Sequence, residues 1–241
     1  MDINKSYPCK QTNYRKGRRD KIKYIVIHYV GATGSALDNV KYYGSANVGA
    51  SAHYYVGHAS ENGAVYQSVA PENCAWHCGH DPGGKYYHPE CRNDNAIGIE
   101  MCTHKTSDGT WYFDDITVKK TIELTRELMK RYNISADRVI RHYDVTHKCC
   151  PAPYVNNPDK WEEFKNALQK EDKNMPKTVY TLNNVHVQVI DTWNFKIEDA
   201  DARKRNIRLD NYANAGFFAT LDSGETIPVG NLVIDGHIIT D

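Results

Sequence analysis

With 241 residues, 40% of them hydrophobic and 25% charged, the chain has the make-up of a globular protein long enough for one full-size domain and a smaller one. Its 30 basic and 30 acidic side chains cancel, so no net field draws it to nucleic acid or to an acidic membrane surface. No stretch reaches the roughly 18 apolar residues of a membrane-spanning helix, and the opening "MDINKSYPCKQTNYRKGRRDKIK" has no apolar run of the secretory kind, so the expectation is synthesis in the cytoplasm without signal peptide or membrane anchor.

In chain order, "KYIVIHYV" (23–30) is a β-branched and aromatic run with the length of a buried strand, and His28 lies inside it. "ALDNVKYYGS" (36–45) spaces Leu37, Val40 and Tyr43 as a helix does and is expected to end at Gly44. Runs at about 52–57 and 64–70 flank the Gly-containing turn "HASENG" and read as a hairpin. The polar, Gly-rich "HDPGGKYYHPECRND" has the length of a functional surface loop, and "NAIGIEMC" (95–102) follows it as a second central strand. "DDITVKKTIELTRELMKRYNIS" is the clearest helix, with an acidic start, basic residues in its last turn, and Val118, Ile122, Leu124, Leu128 and Met129 as its apolar positions. A second helix spans 156–170, with Asn157 as cap and Pro158 in the first turn.

Strands and helices interleave through residue 170, which predicts an α/β domain (1–170): a central mixed β-sheet flanked by helices. Residues 171–178, opening with "EDKNMPK", are charged and aperiodic and read as a linker. From 179 to 241 alternating runs such as "NVHVQVI" and "NLVIDGHIIT" predict a small β-rich segment with a modest core.

Seven cysteines, an odd number, leave at least one outside any intramolecular disulfide, and reduced thiols or metal ligands are the expectation without an export signal. Cys74, Cys78, Cys91 and Cys102 are near enough in sequence to pair, yet their spacings match no metal template. "RHYDVTHKCCPAP" (141–153) concentrates His142, His147, Cys149 and Cys150 in one short loop. A catalytic zinc takes three protein ligands from separate directions and keeps a fourth position for water, and His28 adds a donor from a buried strand, where a polar side chain needs a partner. Read alone, His28 is a satisfied core histidine; beside a His/Cys cluster without CxxC spacing it points to a metal.

Five motifs, "IVIHYV", "SAHYYVG", "AWHCG", "NAIGIEMC" and "RHYDVTHKCCPAP", taken in this order over roughly residues 20–170, resemble the zinc-dependent type 2 N-acetylmuramoyl-L-alanine amidases, a family that includes phage endolysins and animal peptidoglycan-recognition proteins. The resemblance implies the zinc amidase fold, a Zn2+ cofactor and bacterial peptidoglycan as partner, with cleavage of the amide between N-acetylmuramic acid and L-alanine. By position it makes His28, His142 and Cys150 the zinc ligands, Cys150 being chosen over Cys149 by the family's interval after His142. It makes Lys148 the oxyanion-stabilising cation and Glu100 the general base, since the tyrosine other branches carry before the second-strand histidine is Ala52 here. His53, Trp76 and His77 match the family's positions near the substrate groove, with a supporting partner behind the site as the alternative for His53 and a core residue as that for Trp76; Asn95 reads as a contact to the muramyl-peptide or as the cap of a strand entry. Together with the opening segment, the resemblance implies a phage or prophage endolysin that reaches the wall after holin release, with the C-terminal segment as a wall-binding or oligomerising module. A muropeptide-binding module without catalysis and a cysteine-histidine thiol hydrolase without metal are the competing readings. Glu100 on a solvated strand face and Lys148 as a solvated loop charge are the bland ones; His147 and Cys149 have no assigned role beyond an oxidisable thiol beside a ligand.

Overall fold

The computed structural model describes residues 1–80 and 84–169 and, beyond them, four strands at 178–182, 185–189, 218–220 and 226–228. The chain divides into two units, Met1–Lys170 and Glu171–Asp241. In the first, the elements in order are β1 (Tyr14–Arg15), β2 (Tyr24–Tyr29), α1 (Ala36–Ser45), β3 (Tyr54–Val56), β4 (Val65–Gln67), β5 (Cys74–Ala75), β6 (Ala96–Met101), β7 (His104–Lys105), β8 (Trp111–Tyr112), α2 (Asp115–Tyr132), β9 (Val139–Arg141), α3 (His142–Thr146), α4 (Ala152–Val155) and α5 (Pro158–Gln169). Five strands form a mixed sheet in the order β4-β3-β6-β2-β9, parallel except where β3 and β4 make the expected hairpin. β1 pairs with β5, and β7 with β8, in short antiparallel ribbons outside it.

The sheet is buried on both faces, as the unbroken apolar run of β2 anticipates for a parallel strand. One face carries Ile25, Ile27, Ile97, Ile99, Met101, Tyr54 and Val56 and packs on Leu124 and Leu128 of α2 and on Trp161, Phe164 and Leu168 of α5. Val118, Ile122 and Met129 lie at the margin of this core, partly buried, while Thr117, Thr121 and Thr125 fill the buried stripe of α2. Two of those hydroxyls are satisfied: Thr117 Oγ1 donates to Gly57 O at 2.7 Å and Thr121 Oγ1 to Thr117 O at 2.7 Å. The helix stops at Tyr132 because Asn133 turns left-handed, with φ 53°. At α5, Asn157 Oδ1 accepts from Lys160 N at 3.3 Å, the expected cap.

α1 starts with a reciprocal cap, Ser35 Oγ accepting from Asp38 N and the Asp38 carboxylate accepting from Ser35 N. It runs through Ser45, one residue beyond the expected stop at Gly44. A Cβ on Gly44 would lie 3.1 Å from Pro8 O, so close packing of the N-terminal segment, not helix termination, accounts for that glycine.

The second face is divided. Tyr24, Val26 and Ala96 pack with Cys78, Cys91 and Val145 at one end, and Tyr55 packs with Ala36, Val40, Ala52 and Cys102 at the other. His28 and Glu100 stand between these patches. Both lie near the carboxyl ends of parallel strands, the usual place for a site in a sheet of this kind.

In the second unit β10 (Thr178–Leu182), β11 (Val185–Val189), β12 (Phe218–Thr220) and β13 (Thr226–Pro228) form an antiparallel sheet in sequence order. Thr178 therefore opens a strand where the linker was expected to end. The linker at 171–177 and the run at 231–240 lie outside the described residues. Among the described residues no helix is long and apolar enough to cross a membrane.

Candidate metal centre and active site

Three elements deliver three buried donors to one point. His28 comes from β2, His142 opens α3 directly after β9, and Cys150 follows the turn beyond α3. One ligand atom from each lies within 4.8 Å of the others, and all three residues are buried. The backbone closes this arrangement, since Tyr143 N donates to Cys150 O at 2.8 Å and ties the cysteine back to the helix that carries His142. His28 Nδ1 stands 3.6 Å from Cys150 Sγ. A tetrahedral zinc, at about 2.0 Å from nitrogen and about 2.3 Å from sulfur, holds such atoms about 3.5 Å apart. His142 Nε2 faces Gly79 O at 3.0 Å, and an Nε2–H donated there leaves the lone pair on Nδ1. Burial, with His142 and His77 adding, pulls His28 well below the ordinary histidine range and keeps it neutral, the form a ligand must take. Burial also pushes the Cys150 thiol up, so a thiolate there needs a cation beside it. Two imidazoles and one thiol of this geometry fit zinc.

Glu100 is the next group in the row. The register sets it opposite His28 on β2 and opposite Tyr55 on β3, so all three side chains share one face. Its Oε2 is sealed from solvent and has no hydrogen-bond partner among the described residues. Burial pushes its carboxyl up to about 8, against the opposing charge of Lys148. Lys148 itself is exposed, on the turn between α3 and α4, near enough for its charge to act on Glu100, His28 and Cys150. A carboxyl that titrates near neutrality, a cation and a set of soft donors thus meet at one place, which suits proton transfer beside a Lewis acid.

Of the four residues expected beside a groove, His77 and His53 are buried behind the metal ligands and Asn95 is buried at the other end of β6, before its first residue. His77 is buried with Nδ1 3.0 Å from His28 Nε2, and burial pulls it down to about 3. Gly98 makes room for it, since a Cβ there would stand 2.5 Å from the ring. His53 is fully buried: Nδ1 accepts from Gly98 N at 3.0 Å, and Nε2 meets Asn73 O at 3.2 Å and Arg18 Nη2 at 2.7 Å. Asn95 is 3% exposed and closes a turn, accepting from Arg92 N at 2.8 Å and donating to Glu90 O at 3.1 Å. Only Trp76 keeps partial exposure.

Comparison with known proteins places this geometry. The family model described as N-acetylmuramoyl-L-alanine amidase matches residues 18–153, more than half of the sequence. The chain belongs to the N-acetylmuramoyl-L-alanine amidase family. It is 36% identical over 160 residues to the N-acetylmuramoyl-L-alanine amidase BlyA of Bacillus subtilis strain 168, covering 61% of this chain and 41% of that protein. It is 34% identical over 155 residues to the amidase CwlL of Bacillus licheniformis, with the same coverages of 61% and 41%. The chain thus spans about two-fifths of the length of these relatives. Its fold matches the solved structure of PlyL at TM-score 0.57 and 24% identity, over 70% of this chain and 98% of that one. A mutant endolysin from Bacillus subtilis matches at TM-score 0.54 and 26% identity, over 70% and 99%.

Within this amidase-family domain, sequence reasoning missed Arg18. Its guanidinium donates to the carbonyls of Pro71, Asn93, Asp94 and Ala96 besides meeting His53, and so ties the N-terminal segment to the floor of the site. The only signal was the basic run "KGRRDK", in which nothing distinguishes a buried arginine from solvated ones. His147 is a left-handed residue stacked on Tyr87, with ring centres 3.5 Å apart, and on Tyr143 at 5.2 Å. Cys149 is exposed and its thiol donates to Asn156 Oδ1 at 3.7 Å.

Proposed function

We propose that the chain is a zinc-dependent N-acetylmuramoyl-L-alanine amidase, hydrolysing the amide between the lactyl group of N-acetylmuramic acid and L-alanine in bacterial peptidoglycan. The observation that carries this is the buried donor trio His28, His142 and Cys150, set in one row with the raised carboxyl of Glu100. A zinc ion bound there would supply Lewis acidity and lower the pKa of a bound water from about 15.7 to about 7.

The chain's own groups do the rest. Glu100, ionised once a cation sits beside it, takes a proton from the attacking water and returns it to the leaving amine, a role typically worth about 10²- to 10⁴-fold. Lys148 sets a positive charge toward the developing oxyanion, where a fixed charge acts most strongly. Trp76, half-buried next to buried His77, is the groove residue among the four expected ones. Wall lysis in the manner of an endolysin, after holin release, fits a peptidoglycan substrate, and we assign the second unit to wall binding or oligomerisation on its position after the amidase domain.

The test is the chemistry of the cut. Purified peptidoglycan digested with the protein should gain alanine amino groups and no new reducing ends. A chelator should stop the gain and added zinc restore it. Chelator-resistant cleavage would transfer the chemistry to a cysteine nucleophile, and binding without new ends would leave only a recognition module.

A further inference from the structure

We propose that His77 is the positioning residue of the metal centre: it accepts a hydrogen bond from His28 Nε2–H and so holds the His28 lone pair, on Nδ1, toward Cys150 and His142. This rests on the zinc reading above and deepens it by assigning the group that selects the tautomer of a ligand.

The geometry carries the assignment. A neutral imidazole has one N–H and one lone pair, so fixing the first nitrogen fixes what the second can do. His28 Nε2 has His77 Nδ1 at 3.0 Å, while its Nδ1 has Cys150 Sγ at 3.6 Å. Two hydrogen placements satisfy this pair. In one, His77 donates to His28 Nε2 and His28 Nδ1–H points at sulfur, which blocks coordination. In the other, His28 Nε2–H donates to His77 Nδ1 and the Nδ1 lone pair faces the other two donors. Metal binding requires the second, and His77 offers an acceptor for it without moving. Its surroundings fix the His77 ring in this position. The backbone N–H of His77 donates to Asn93 Oδ1 at 3.0 Å, the ring meets His28 edge to face at 89°, and it lies over Gly98, where any Cβ would collide with it. His53 also packs edge-on against the ring, with centres 5.5 Å apart. An imidazole acceptor of this kind stands where ligating histidines commonly donate to a carboxylate or a carbonyl.

Metal affinity, read without substrate, tests the assignment. Zinc titration against a competing chelator should give His77→Leu an affinity about 10- to 100-fold below the parent protein. His77→Asn, whose amide oxygen can occupy the acceptor position, should recover most of the loss. The cobalt-loaded proteins should report the same order in their absorption, with the parent and Asn spectra alike and the Leu spectrum altered. Should the Leu variant fail to fold, Gly98→Ala keeps every polar group yet displaces the ring, and it should lose affinity comparably. Equal affinities for the Leu and Asn variants, or parental affinity in Gly98→Ala, overturn the role of His77 alone. A parent protein that binds no zinc overturns the metal centre itself.

Discussion

Strands β2 and β6 present alternate residues to two faces of one sheet, and the faces differ in kind. Toward α2 and α5 they offer Ile25, Ile27, Ile97 and Ile99, all fully buried. On the reverse, the same strands offer Val26, His28, Gly98 and Glu100. Aliphatic burial stabilises by about 25 cal/mol per Å² of area removed from water, with no demand on partners. Histidines and a carboxyl in the same setting destabilise unless each finds a partner, and Glu100 Oε2 finds none among the described residues. The comparison teaches a division of labour within single strands: one face supplies the stability that lets the other hold groups in protonation states water would not permit.

Two substitutions should separate the faces. Glu100→Gln should lower turnover by about 10²- to 10⁴-fold, with zinc content and unfolding midpoint preserved or improved. Near-parental turnover would move the general base to another residue. Ile25→Ala, on the opposite face, should cost about 2–5 kcal/mol in urea unfolding while the folded fraction retains its turnover within a few-fold. If that variant stayed as stable as the parent, the aliphatic face would not be the source of stability claimed for it.

The difference between the faces also explains what the sequence disclosed. β2, β6, α2 and α5 were legible because β-branched runs and 3.6-residue spacing are local properties. α3, α4 and the two-residue ribbons were not, being shorter than any period that could reveal them. In "RHYDVTHKCCPAP" the residues alone left four donors open, and only the family resemblance singled out His142, by its motif, and Cys150, by its interval from it. The structure adds the reason in space: His147 is turned left-handed into an aromatic stack, and Cys149 points to Asn156. The burial of His77 was equally invisible in "AWHCG", because it depends on the missing side chain of Gly98, far along the chain on β6. Asn95 reads from sequence as a polar residue at a strand entry, and whether its amide meets solvent or closes a turn is decided by Arg92 and Glu90.

The smallest expected effect is on the pH dependence of stability in the metal-free protein, where the two kinds of buried group act with opposite sign. Glu100 has a folded pKa of about 8 against an ordinary 4.5, so the folded state holds the extra proton between those values and stability falls as pH rises through that window. His28, His53 and His77 are depressed from an ordinary 6.5, so their contribution is present above 6.5 and is lost as pH falls below it. Below 6.5 three histidines outweigh one carboxyl and stability rises with pH. Above it the carboxyl contributes a decline of about 1.4 kcal/mol per pH unit, joined towards pH 8 and beyond by the buried thiols of Cys9, Cys74, Cys102 and Cys150, which burial raises in the same sense, and of Cys78, raised by its hydrogen bond with Cys91 and by burial. The metal-free protein should therefore be most stable near pH 6.5, as urea midpoints at about pH 5, 6.5 and 8 would register. Glu100→Gln should flatten most of the alkaline decline and steepen the acid limb, where the carboxyl no longer offsets the histidines. An alkaline decline that persists undiminished in that variant would assign it to some other group, and the paired carboxyl and histidine row would lose its electrostatic signature.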